Sequence, residues 1–197
     1  ENKLNIAMVS SAANKDAAED AEGSVDVTTT IVAAVVDAEG KVVVSKTDSV
    51  QGKNTFDAKG VANVDTKAEI KTKGEIGADY GMAAYGKKHD GSDGAVKEWF
   101  EQAAAFDATL VGKTASEFAA LAGKDTYAVG DLATAGCTIS VGDFVAALEK
   151  AVANAADSKA TADDKLNLAI VSSATNKDAV EDAEGSVEIS STVVAAV

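Results

Sequence analysis

The 197-residue chain has no arginine, no proline, one cysteine and one histidine. Without Arg there is no guanidinium fork to clamp a phosphate or carboxylate, so an anion site must use Lys or backbone N–H groups. Without Pro, turns and helix ends fall to Gly, Asp, Asn, Ser and Thr, and tight turns should centre on Gly. The lone Cys137 excludes an intramolecular disulfide, and with only His89 beside it no structural zinc site can form. Basic charge is scarce as well. Eighteen Lys face 32 acidic residues for a formal charge of -14, which argues against nucleic acid as a partner. No apolar run reaches the roughly eighteen residues of a transmembrane helix, and Glu1-Asn2-Lys3 lacks the pattern of a signal peptide. No nucleophile and base stand at an informative spacing, so no catalytic residue is assigned.

What the chain does contain is a repeat. Shifted by 162 positions, Lys3–Val35 aligns with Lys165–Val197 without a gap and with 24 of 33 residues identical. The differences are mostly conservative, such as Ile6 to Leu168, Met8 to Ile170 and Val27 to Ile189. A period this long exceeds that of a solenoid unit, so each copy should be a domain with its own core. The organisation expected is a complete module over residues 1–154, a small and polar linker over 155–164, and the first strands of a second copy over 165–197. An isolated strand pair is marginal in water, so the second copy must pack on something. Two readings stand: a sheet edge or incomplete module of another chain, as in strand exchange, or simply a lattice contact or its own chain.

Within the first copy, Leu4–Ser11 reads as a strand and Ser24–Val36 as a longer one. In the latter Val25, Val27, Thr29, Ile31, Ala33 and Val35 alternate with Asp26, Thr28, Thr30 and Val32, and the first set is expected to face the core. Asp37-Ala38-Glu39-Gly40 should turn the chain into a returning strand over Lys41–Thr47, with Gly40 left-handed. Lys53–Val64 suggests a further hairpin, and Ala68–Met82 a Gly-interrupted helix around Ile70, Ile76 and Tyr80. His89–Gly94 reads as a turn and helix cap, with Asp93 opening a helix whose apolar face is Val96, Trp99, Phe100 and Ala103. Thr114-Ala115-Ser116-Glu117 is a capping box ahead of Phe118 and Leu121. Ser140-Val141-Gly142-Asp143 should open the last helix, with Phe144, Val145, Leu148 and Val152 on one face. Strands come early and helices late, which predicts an α+β fold: an antiparallel meander with helices packed on one face.

One stretch points to chemistry. Ala135-Gly136-Cys137-Thr138-Ile139-Ser140 runs into a helix start, where free N–H groups and the helix dipole can hold phosphate. It resembles the Ser/Thr-Gly-Ala-Thr/Ser signature of FMN-binding domains, with Ala135 and Cys137 as departures. In that family a β-meander also comes first, and the signature and an apolar-faced helix close the domain. The resemblance implies an FMN-binding-like fold, FMN as a possible cofactor, and a flavin attached at Thr138 with its phosphate near Gly136, Cys137 and Ser140. Tyr80, Tyr85 and Trp99 would be candidates to stack on the flavin ring. Gly77–Met82 and Lys97–Gln102 also resemble segments of repeats in surface lipoproteins of anaerobic Gram-positive bacteria. That likeness implies an extracellular, cell-attached setting; with the repeat and the strand-exchange reading, the expected function is a tandem-repeat surface module with a structural or assembly role, whose partners are neighbouring copies of itself. The alternative, implied by the FMN-binding resemblance, is a flavoprotein module for extracellular electron transfer. Cys137 reads as a small buried residue rather than a thiol activated by the helix start.

Overall fold

The computed structural model describes residues 1–89, 96–161, 163–181 and 183–197. Three long strands lead the chain, β1 (Lys3–Lys15), β2 (Gly23–Val36) and β3 (Val42–Phe56), followed by the two-residue β4 (Ala62–Asn63). Among the described residues six α-helices follow: α1 (Lys73–Ile76), α2 (Met82–His89), α3 (Trp99–Leu110), α4 (Ala115–Ala119), α5 (Gly130–Thr134) and α6 (Gly142–Ala153). The chain ends in β5 (Ala156–Asp157), β6 (Asn167–Lys177) and β7 (Ser186–Ala196). A five-stranded antiparallel sheet has the order β4-β3-β2-β1-β5, and β6 and β7 form a separate hairpin. The fold is α+β, with the helices on one face of the meander.

The turns follow from their residues. Asp37 Oδ1 accepts the N–H groups of Glu39 and Lys41, and Gly40 takes φ 77° to close the β2–β3 connection. Asp57-Ala58-Lys59-Gly60 repeats the device between β3 and β4, where Asp57 accepts from Lys59 and Val61 and Gly60 takes φ 78°. The N–H groups of Val61 and then Lys59 hold the Asp57 carboxyl below its ordinary value.

Burial corrects the expected facing of β2. The main core takes Val32, Ala34 and Val36, the set opposite to the one expected, and packs them against Trp99, Ala103, Phe106 and Leu110 of α3 and Phe144, Val145 and Leu148 of α6. Ile31, Ala33 and Val35 are buried too, on the other face. The unbroken apolar run Ile31–Val36 means burial on both faces, and alternation alone does not say which face meets the helices. Edge-to-face rings seal the centre: Trp99 and Phe106 meet Phe144 at centroid distances of 5.6 and 5.2 Å.

The second face is covered by the second copy. Ile170 joins Ile31 and Val50 in a small cluster with Ile6, Ile70, Leu168 and Val193 around it. The hairpin keeps the register of the first copy, Ile170 opposite Val193 as Met8 is opposite Ile31. Ile70 N–H donates to Ser172 O at 2.9 Å, and Ala62 N–H to Asp178 Oδ1 at 3.1 Å. Gly52 makes the close approach possible, since a Cβ there would lie 2.3 Å from Ile189 Cδ1. In the segment expected to be a linker, Ala156 and Asp157 pair with Leu4 and Lys3 on the edge of β1.

Three helix boundaries also differ from expectation. Ile70 is outside any helix; α1 starts at Lys73 behind a capping box of Thr72 and Glu75. The apolar helix begins at Trp99 behind Glu98, paired with Glu101 in a capping box, so Val96 and Phe100 are exposed and the buried stripe is Trp99, Ala103, Phe106 and Leu110. The last helix begins at Gly142 with Val141 as its cap; Ser140 instead shares a hydrogen bond with Thr126 Oγ1 at 2.6 Å. The Thr114–Glu117 capping box forms as expected, and its hydrogen bonds lower the Glu117 carboxyl below its ordinary value, the Thr114 N–H foremost. The turn-and-cap reading of His89–Gly94, with Asp93, lies outside the described residues apart from the His89 backbone, which ends α2.

Candidate functional site

The loop singled out by the sequence spends its N–H groups on the protein. Gly136 N–H donates to Ala133 O, Cys137 N–H to Leu132 O, and Thr138 N–H to Gln102 Oε1 at 2.7 Å. Gln102 is fully buried and also donates through Nε2 to Lys97 O, so it fastens α3 to this loop. Lys97 Nζ donates to Ala135 O at 2.7 Å and lies where a Cβ on Gly136 would intrude; Gly136 itself has φ 89°. Cys137 is buried, and burial pushes its thiol up from the ordinary value, which makes it a poor nucleophile. Thr138 is exposed, with its hydroxyl 3.4 Å from Gln102 Oε1.

Of Gly136, Cys137, Thr138 and Ser140 only Ser140 borders an open cleft of about 540 Å³ between the sheet and the start of α6. Its origin lies in the strand sequences. On the helix side, β2 passes from Val36, Ala34 and Val32 to Thr30, Thr28 and Asp26, and β3 from Val42 to Ser49 and Gln51. The apolar half is roofed by α3 and α6. The hydroxyl half is left as the cavity floor, formed by Thr28, Thr30 and Ser49.

Each wall is placed by local structure. Gly142, Asp143 and Phe144 line one end, the first turn of α6, whose N–H groups have no i-4 partners inside the helix. Thr126 lies next to it with φ 63°, a left-handed conformation costly for a β-branched residue. Val141 N–H to Thr126 O at 2.8 Å and the Ser140 hydroxyl hold it there. Lys73 arrives on α1, which is pinned to β3 by a bridge between Thr72 and Val50 and by Gly74 N–H to Asp48 Oδ1 at 3.0 Å. Its ammonium lies 5.2 Å from the ring centroid of Tyr80 and 5.6 Å from that of Trp99. Trp99 and Met82 supply apolar wall, and Met82 N–H is held by Glu98 Oε2 at 2.8 Å.

Two features of this cavity are unsatisfied. Ser49 is 1 % exposed and its Oγ has no hydrogen-bond partner. Lys73 has no carboxylate within ion-pair distance among the described residues. Sequence reasoning passed over both. The Thr72-Lys73-Gly74-Glu75 capping box was the available signal for Lys73, whereas nothing in the sequence marks Ser49 as an orphan.

Among the described residues no group of three or more His, Cys, Asp and Glu is placed to hold a metal ion. Nor is any described helix long and apolar enough to cross a membrane. No family model, curated protein or solved structure matches this chain.

Proposed function

We propose that the chain belongs to an extracellular, cell-surface array of tandem modules, in which each module is fastened to the next by the opening hairpin of the following copy. The observation that carries this reading is the packing of β6–β7 on the sheet: Leu168, Ile170 and Val193 of the second copy lie with Ile6, Ile31 and Val50 of the first. A flexible string of beads has no need of such a contact. The hairpin's outer face repeats the helix-facing side of the first copy. Val171 and Val194 are exposed there, and they repeat Val9 and Val32, which pack in the main core of the first copy.

Light scattering over a wide concentration range tests the assembly role. The full chain should form concentration-dependent dimers or longer species, and the chain lacking Leu166–Val197 should stay monomeric. Monomers from both at every concentration would refute exchange between chains. A flavoprotein module is the second reading, favoured by the exposure of Thr138 at the surface. A mass increment of one FMN on the native protein, lost in Thr138→Ala, would establish it; an unmodified mass would remove it.

A further inference from the structure

We propose that the cavity between the sheet and α6 binds a hydroxyl-rich organic anion, a sugar phosphate or a sugar acid. Its charge would be held by Lys73 and its hydroxyls by the Thr28–Thr30–Ser49 floor and Asp143.

Lys73 gives the sign of the ligand. Its ammonium is half-buried between two aromatic rings that favour a cation but cannot neutralise it. The open first turn of α6 adds partial positive charge at the cavity's end. A carboxylate or phosphate satisfies both.

The hydroxyls give the rest of the ligand. Ser49 Oγ is buried and unpartnered, a state that costs stability and is explained when a ligand supplies the missing hydrogen bond. Thr28 and Thr30 lie beside it on the same face, and Thr126 and Ser140 border the same space. Hydroxyl side chains both donate and accept, so they match ligand hydroxyls of either polarity. The Asp143 carboxylate has acceptors and no donor, so the part of the ligand near it must donate, as a sugar hydroxyl does and a bare anion does not. The apolar surfaces of Trp99 and Met82 suit the C–H faces of such a molecule. None of this involves Thr138, Gly136 or Cys137.

Trp99 is the sole tryptophan and lines the cavity, so intrinsic emission reports occupancy directly. The full chain would be titrated with glucose 6-phosphate, glucuronate, glucose and inorganic phosphate. Saturable change with at least one of the two sugar anions is expected, and which of them binds more tightly tells phosphate from carboxylate. Glucose and inorganic phosphate should each bind at least about tenfold more weakly, one lacking the charge and the other the hydroxyls. Lys73→Met should weaken the sugar anion by about tenfold or more. Ser49→Ala should weaken it while leaving the melting temperature unchanged or higher, because that hydroxyl has no partner to lose. No saturation by either sugar anion up to about 10 mM would overturn the proposal. So would glucose or inorganic phosphate binding as tightly, or undiminished binding by Lys73→Met.

Discussion

Ile170→Ala tests whether the second copy's hairpin is fastened to the first module. Ile170 is 5 % exposed and is the hairpin's one fully enclosed anchor in the cluster with Ile31 and Val50. The substitution removes three carbons, about 2.4 kcal/mol at about 0.8 kcal/mol per buried CH₂, with a cavity contribution added where the site does not collapse. That cost falls on docking, because the main core shares no residue with this cluster. Ile70 N–H is the probe, since it donates across the interface to Ser172 O. At about 1.4 kcal/mol per tenfold, its hydrogen exchange should accelerate by about 50-fold, provided it exchanges by undocking rather than by global unfolding. Proteolysis within residues 158–165 should speed up in parallel, while the β2 amides paired with β1 and β3 keep their protection. Phe106→Ala is the contrast: it sits in the main core and should cost about 3–5 kcal/mol and accelerate exchange throughout. Unchanged exchange at Ile70 in Ile170→Ala would refute the docked hairpin.

Two further predictions concern buried polar groups. Asp107 accepts from Ser45 Oγ at 2.8 Å, Thr47 Oγ1 at 2.7 Å and Thr47 N–H at 3.0 Å, joining α3 to β3. Burial nevertheless pushes its carboxyl above the ordinary value. A raised carboxyl binds its proton more tightly in the folded state, so its contribution to stability is fully present below the unfolded value of about 4 and declines as pH rises through the folded one. Asp107→Asn keeps an acceptor for Thr47 N–H and donors for the hydroxyls, so it should match the wild type near pH 4 and exceed it at pH 7 in denaturant melts. Asp107→Ala should cost about 1–3 kcal/mol at either pH, because Thr47 N–H is left without its acceptor. A wild type that outlasts the Asn variant increasingly as pH rises would contradict the sign. Cys137, buried and with its thiol raised, should resist a thiol reagent in the native protein and react at the rate of global unfolding. Rapid labelling in buffer would show the loop opening independently of the core.

The fold was legible wherever one local signal sufficed. Turns at Asp37–Gly40 and Asp57–Gly60 are set by an Asp that accepts from the backbone and a Gly in the left-handed region, both visible in four residues. The Thr114–Glu117 box is equally local. What was not legible depended on partners distant in sequence. Ser140 has the form of a helix cap, but Thr126 takes its hydroxyl and leaves the helix to start at Gly142. Thr138 sits near a helix start, yet Gln102 occupies its N–H from 36 residues away. The cavity is the extreme case: its floor comes from β2 and β3, its cation from α1 and its far end from α6. No window of sequence contains two of those elements in register.

The repeat itself gains meaning from the two faces of the hairpin. Five of the nine differences between the copies, at Ile6, Met8, Val27, Thr29 and Ile31, lie on the face through which the copies meet. The apolar half of the opposite face is unchanged: Ala7, Val9, Val32 and Ala34 recur as Ala169, Val171, Val194 and Ala196. Val171 and Val194 match residues that the first copy packs against its helices. The meeting face follows the other logic. Met8 is 42 % exposed in the first copy and Ile170, its counterpart, is enclosed in the second, so the β-branched side chain stands where the packing is close. One face therefore keeps the residues that pack on α3 and α6 in the first copy, and the other differs between the copies where they touch. Two differently constrained faces on one hairpin fit the proposed tandem arrangement, in which the same strand pair supplies a helix-packed core face and a contact between sheets.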